Sequence, residues 1–345
     1  MDCLSNRHDL SLLGGPYLRV IGFSYVFNML SSLYVSVQRS VEDPAFGMKL
    51  FGFSTILNTG LNYLLIFGNF GFPALGVAGA AIATLLARIS EFVICVVCAL
   101  RSRLIPLHLG LFFRPGLDMM RRFVKYASPV VLNETVWGLG NSLLTVILGY
   151  TDNSVEMLAA NAVMGNLNRL FLVVCFGLGA ATAVIVGKAI GEGQGREKVM
   201  DLSRALLWFA VLVGTALAVF SIALVPLLFV PVIFPMFKLF GLSAEIATAL
   251  AVMGFASIPL HACAISAITG VLRAGGDVMW STVLDIAPQW VVCLPATALV
   301  ALVLKLGCWP IAFAIQLESI VKFPLCLWRV RGGKWINDVT GGGTE

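Results

Sequence analysis

The amino-acid sequence predicts an all-α integral membrane protein, and three observations carry that reading. Of its 345 residues, 59% are hydrophobic and only 12% charged, with a mean hydropathy of +0.93, too little charge to cover a soluble domain. Nine apolar stretches are each long enough to cross a bilayer, which takes about 20 helical residues. These runs are continuous, and lipid admits only helices or closed barrels, so the spans are helices.

The first stretch, residues 17–37, follows a polar N-terminal tail (1–16) and has full spanning length, so it is a span and no cleaved signal peptide. The second, 48–68, carries Ser54, Asn58 and Asn62 one turn apart, a polar edge suited to hydrogen bonds between helices or to a cation. The third, 75–100, opens LGVAGAAIAT. There Gly76, Gly79 and Ala83 make a small-residue face for close packing, with Thr84 beside it. Later in this span Glu91 lies three residues after Arg88, a self-neutralising pair on one helical face.

The fourth stretch, 123–150, contains Glu134 with no basic residue within four positions. Trp137 is one turn on, and Asn141 and Thr145 follow at i+7 and i+11, so the four share one polar, aromatic stripe. A lone carboxylate at the bilayer centre costs roughly 2.5–3.5 kcal/mol, so it takes up a proton, binds a cation or faces a wet cavity. Glu134 is therefore read as a residue that changes its charge state. In the fifth stretch, 157–185, Asn161, Asn168 and Arg169 lie on nearly one face, and Glu134 is a candidate partner for Arg169.

The sixth stretch, 203–230, comes after GEGQGREK (191–198), which imitates a glycine-rich phosphate loop but follows no strand and reads as a cytoplasmic turn. The seventh, 243–271, holds His261, the only intramembrane histidine, either a hydrogen-bonded core residue or one linked to a cation. Asp285, in the eighth (279–304), is less than two turns from its helix end and within reach of the interface. The ninth, 309–328, sets Glu318 four residues before Lys322, a second self-neutralising pair.

Basic residues orient the chain. Arg39 and Lys49, the 101–125 cluster, Lys188 to Arg204, Arg273, and Arg329 to Lys334 all fall on one side. Only Arg7, Arg19, Lys238 and Lys305 fall on the other, so the C-terminus and the linker at 103–122 are expected in the cytoplasm. The net charge of +5 reflects this bias and calls for no nucleic-acid partner. Cys95 and Cys98 share a face as C-x-x-C, but in a lipid-embedded helix without a second pair they read as small apolar side chains. G-x-S-x-G, H-E-x-x-H and P-loop motifs are absent from the sequence, as are histidine clusters; the expectation is a protein that is not an enzyme and uses no cofactor or metal.

An internal repeat organises the spans. VQRSVED (37–43) and VLRAGGD (271–277) share V-x-R-x-x-x-D at the end of a span and lie 234 residues apart. RSR (101–103) and RVR (329–331) each close a span, 228 residues apart. Spans one to three and seven to nine thus read as copies, a common transporter design, and the counterparts of spans four to six would begin about 110 residues before Met1. The expected layout is a tail (1–16), a partial N-lobe (17–102), a cytoplasmic linker (103–122), a six-span C-lobe (123–335) and a C-terminal tail (336–345).

YLRV opening the first span, NTGLNYLLIFGNFGFPALGVAGAAIATLLAR (58–88), SPVVLNETVWGLGNSL (128–143) and GVLRAGGD (270–277) resemble the multidrug and toxic compound extrusion (MATE) family over about residues 17–335. The resemblance implies a two-lobe bundle of pseudo-symmetric six-helix repeats, with family helices 4–12 present here and the first three missing. It implies a monomeric antiporter of a bacterial inner membrane, exporting cationic or amphipathic small molecules in exchange for H+ or Na+. Glu134 then matches the C-lobe cation-coupling glutamate, while Asn58, Asn62 and Thr84 match polar positions around the N-lobe cation site. The family's helix 1 aspartate has no counterpart here. Its helix 10 acid is not evident either, and His261 stands nearby. Two rival readings are a lipid-linked oligosaccharide flippase of similar architecture, which needs a more cationic cavity, and a non-functional transporter fragment.

Overall fold

A computed structural model of the chain describes residues 8–41, 43–102 and 116–336. All nine apolar runs are helical, and no strand occurs among the described residues. The chain divides into two compact units, Met1–Gly116 and Leu117–Glu345. Their boundary falls in the 103–122 interval expected to be linker, of which 103–115 lies outside the described residues and 117–122 is already helix.

The first unit contains α1 (His8–Ser40), α2 (Pro44–Phe67) and α3 (Gly76–Arg101). α1 starts well before the expected span, because hydropathy marks only the hydrocarbon-crossing part and a helix continues its own hydrogen bonding into the polar interface. Asp43 caps α2 by accepting the Phe46 N–H at 3.3 Å, and Gly68 ends it in the left-handed conformation (φ 71°). α3 packs against both other helices. Its buried residues Gly79, Ala83, Ala87, Glu91, Cys95 and Ala99 recur every four positions. A Cβ on Gly79 would lie against the Leu65 carbonyl, so this crossing requires glycine. Gly76, expected on the same face, instead starts the helix at φ 54°. Buried Glu91 takes Arg88 Nη1 at 2.7 and 2.9 Å, the expected pair.

In the second unit α4 (Leu117–Gly149) and α5 (Ser154–Gly191) are continuous. The GEGQG segment then turns directly into α6 (Arg196–Met236), with Gly193 at φ 67°. Pro226 and Pro231 remove backbone donors from α6, and residues Val225–Ile233 widen to i→i+5 bonding. α7 is broken into Leu242–Ala256 and Ile258–Leu272, bent by 47° where Pro259 opens the second half. α8 (Val278–Val303) carries two further widened stretches, one beginning at Pro288, and α9 (Cys308–Arg331) closes the unit.

The largest core lies between α5, α6, α7 and α9, where Phe255 meets Phe171 at 5.0 Å and Phe229 at 5.6 Å. Large apolar side chains such as Phe209, Leu212, Leu227 and Val291 point outward, as a multi-pass bundle in lipid requires. Beyond α9 the chain folds back and buries Trp335, whose indole N–H donates to Val330 O at 2.9 Å.

Candidate ion-coupling site

In the first unit, α2 and α3 bring Asn58, Asn62 and Thr84 together. Asn62 Nδ2 donates to Asn58 Oδ1 at 2.9 Å, and Asn58 Nδ2 reaches Thr84 Oγ1 at 3.5 Å. The Asn62 Oδ1 is buried with no hydrogen-bond partner among the described residues. Asn62 Oδ1 is thus the one unpartnered oxygen of the trio, a neutral lone-pair group able to solvate a cation without changing charge.

The second unit holds two charged groupings. On α4, Glu134 is 60% exposed and meets Arg273, at the end of α7, at 3.5 Å. That arginine is 19% exposed and comes from 139 residues along the chain. Arg169, the expected partner, is instead exposed on α5. Trp137 stands 39% exposed one turn from Glu134. Asn141 and Thr145 complete the stripe but turn back on their own helix: Asn141 Nδ2 donates to Trp137 O at 3.0 Å and Thr145 Oγ1 to Asn141 O at 3.1 Å.

Asn133, the residue before Glu134 and so turned about 100° from it around α4, builds the second grouping, which no local spacing announces. Buried Asn133 donates to Asp285 Oδ2 at 2.8 Å. Lys322 Nζ lies 2.8 Å from the other oxygen of Asp285 and 2.7 Å from Glu318 Oε1. The Glu318–Lys322 pair is thus as expected, but Asp285 does not turn to the interface. Lys322 draws it inward, because a buried ammonium has little water and holds both carboxylates. With all three ionised the cluster carries one excess negative charge, and Asn133 Oδ1 is left without a partner among the described residues.

His261 sits beside this cluster. Ser319 Oγ is 3.0 Å from its ring, and Ser257 Oγ is 3.3 Å from Nδ1 while donating to Gln316 Oε1 at 2.8 Å. α4 and α8 approach closely at Gly140, where a Cβ would come within 2.6 Å of the buried Gln289 amide. No group of three or more metal-ligating His, Cys, Asp or Glu side chains occurs among the described residues.

Residues 129–297, which run from α4 into α8, match the family profile described as MatE. The chain is 26% identical over 340 residues to the "Probable multidrug resistance protein YoeA" of Bacillus subtilis, covering 93% of itself and 71% of that protein. It is 25% identical over 325 residues to the "Probable multidrug resistance protein NorM" of Thermotoga maritima, covering 92% of itself and 67% of that protein. In three dimensions it resembles a solved MATE protein in complex with MaL6 (TM-score 0.78, 19% identity, 92% of this chain and 70% of the other). It also resembles a MOP superfamily transporter from Pyrococcus furiosus, described as having a binding pocket of reverse polarity that suggests a different function (TM-score 0.82, 17% identity, 96% and 73%).

Proposed function

We propose that the chain is a MATE-type multidrug efflux transporter, a secondary active antiporter exporting cationic or amphipathic compounds in exchange for H+ or Na+. The MatE profile over residues 129–297 and the likeness to multidrug resistance proteins along most of the chain support this reading. The observation that supports this most is the Glu134–Arg273 pair. At 3.5 Å, with Glu134 60% exposed, it is worth about 1 kcal/mol or less, so a proton, a Na+ ion or a cationic cargo can take the carboxylate from the arginine. Ion and cargo then compete for one charge, and each biases a different state of the transporter. Trp137 supplies an aromatic face for a cationic cargo. Asn58, Asn62 and Thr84 offer the coupling ion neutral oxygens in the first unit, and Asn141 and His261 extend the polar lining in the second. A flippase for a lipid-linked oligosaccharide would need a cationic face toward its pyrophosphate, and the exposed carboxylate of Glu134 argues against it.

In proteoliposomes containing the purified protein, an inside-acid pH gradient or an outward Na+ gradient should drive ethidium accumulation, and ionophore collapse of that gradient should stop it. Accumulation indifferent to both gradients would refute antiport.

We propose that the protein is a monomer in a bacterial inner membrane, as its bacterial relatives suggest, and that its C-terminus is cytoplasmic, as the basic-residue bias implies. A reporter fused after Glu345 and a cysteine introduced by Gln194→Cys in the α5–α6 turn should both report cytoplasm. Labelling of that cysteine from outside intact cells overturns the orientation.

A further inference from the structure

A groove between α6 and α9 encloses about 360 Å³. Arg204, Leu207 and Trp208 form its α6 wall at one-turn spacing, and Phe323, Leu327 and Arg331 form its α9 wall at i, i+4 and i+8. α6 begins and α9 finishes at the same end of the unit, where Arg196 Nη2 donates to Gly333 O at 2.6 Å. Arg331 stands at that end, while Arg204, eight residues into α6, lies about 12 Å below Arg196 and can extend its guanidinium toward the mouth, with Leu207 and Phe323 continuing the apolar walls below it.

The two arginines are available to a ligand. Arg204 meets Asp201 at 3.2 Å, but both are largely exposed, and a surface pair of that kind yields readily to a phosphate. Arg331 is exposed as well. Arg329 is committed elsewhere: it binds Asp277 at 2.7 Å and stacks 4.8 Å over Trp280. Trp208 is 69% exposed at the groove's outer edge, one turn from the charged mouth, where an indole suits the membrane interface.

We propose that this groove holds one anionic phospholipid, its phosphate between Arg204 and Arg331 and an acyl chain along Leu207, Trp208, Leu327 and Phe323. Two guanidinium groups above an apolar slot match a headgroup of net negative charge, while a zwitterionic lipid brings an ammonium that competes with them. The experiment uses the protein in nanodiscs containing brominated phosphatidylglycerol or brominated phosphatidylcholine. Quenching of Trp208 is read as the difference between the protein and its Trp208→Phe variant. Brominated phosphatidylglycerol should quench Trp208 at about thirtyfold lower mole fraction than brominated phosphatidylcholine, as two basic contacts imply. Arg204→Gln with Arg331→Gln should abolish that preference, and the paired Lys variants should keep most of it. Equal quenching by the two lipids, or a preference that survives the double Gln variant, overturns the site. Displacement of the lipid by ethidium at transport concentrations would assign the groove to cargo and overturn it too.

Discussion

Glu134→Gln should abolish gradient-driven ethidium accumulation, by about tenfold or more, within the range for loss of a coupling free energy of 1–3 kcal/mol. Glutamine keeps the shape and hydrogen bonding of a protonated glutamate but cannot ionise, so the substitution removes only the charge switch. Folding should survive it. Glu134 is 60% exposed and its pair with Arg273 is long, so stability loses about 1 kcal/mol at most. The amide oxygen of Gln can still accept from Arg273. Glu134→Asp should retain partial activity, because the carboxylate persists one methylene further from an arginine already 3.5 Å away. The measurement is initial uptake per molecule of protein, across a series of imposed gradients. Wild-type uptake should steepen with the gradient and that of the Gln variant should stay flat. A Gln variant with full gradient response would remove Glu134 from the coupling step.

What could be read in the sequence is what a single helix determines. Rise and rotation per residue place Arg88 beside Glu91 and Glu318 beside Lys322, and both pairs are present in the structure. Gly79 and Ala83, one turn apart, locate the tight face of α3 for the same reason, while Gly76 falls outside it. Partners from other helices were not legible, because sequence leaves the rotation of one helix about its axis relative to the next undetermined. Arg273 reaches Glu134 across 139 residues and Asn133 reaches Asp285 across 152, with no local spacing to announce either. Asn133 carries no charge to mark it beside Glu134, yet successive residues on a helix point about 100° apart and so serve different partners. Nearness to a helix end points Asp285 to the interface, yet the ammonium of Lys322 overrides that preference. The break in α7 had a sequence signal in Pro259; its consequence, two half-helices bent by 47°, also depends on neighbours.

Lys322→Met should be the most damaging single change in the second unit. It leaves Asp285 and Glu318 sharing a buried site without the cation that holds both. Removing one partner of a buried ion pair costs about 3–5 kcal/mol, which corresponds to a fall in melting temperature of roughly 10 °C or more. Glu318→Gln should behave differently, although it alters the same cluster. Lys322 keeps Asp285 at 2.8 Å, and the Gln carbonyl can still accept from Lys322 as a neutral hydrogen bond, so stability should fall by only about 1 kcal/mol. Asn133→Ala falls between them: it deletes a 2.8 Å hydrogen bond to a carboxylate, worth about 1.5–3 kcal/mol. The test of cause is the combined variant Lys322→Met, Asp285→Asn, Glu318→Gln. If the damage comes from uncompensated charge, removing all three charges should recover most of the lost stability, a strongly non-additive result. Melting temperature and detergent-soluble yield read the series, and ethidium uptake per molecule separates stability from transport. Wild-type stability in Lys322→Met, or equal damage from Glu318→Gln, would mean that Lys322 does not hold the cluster together.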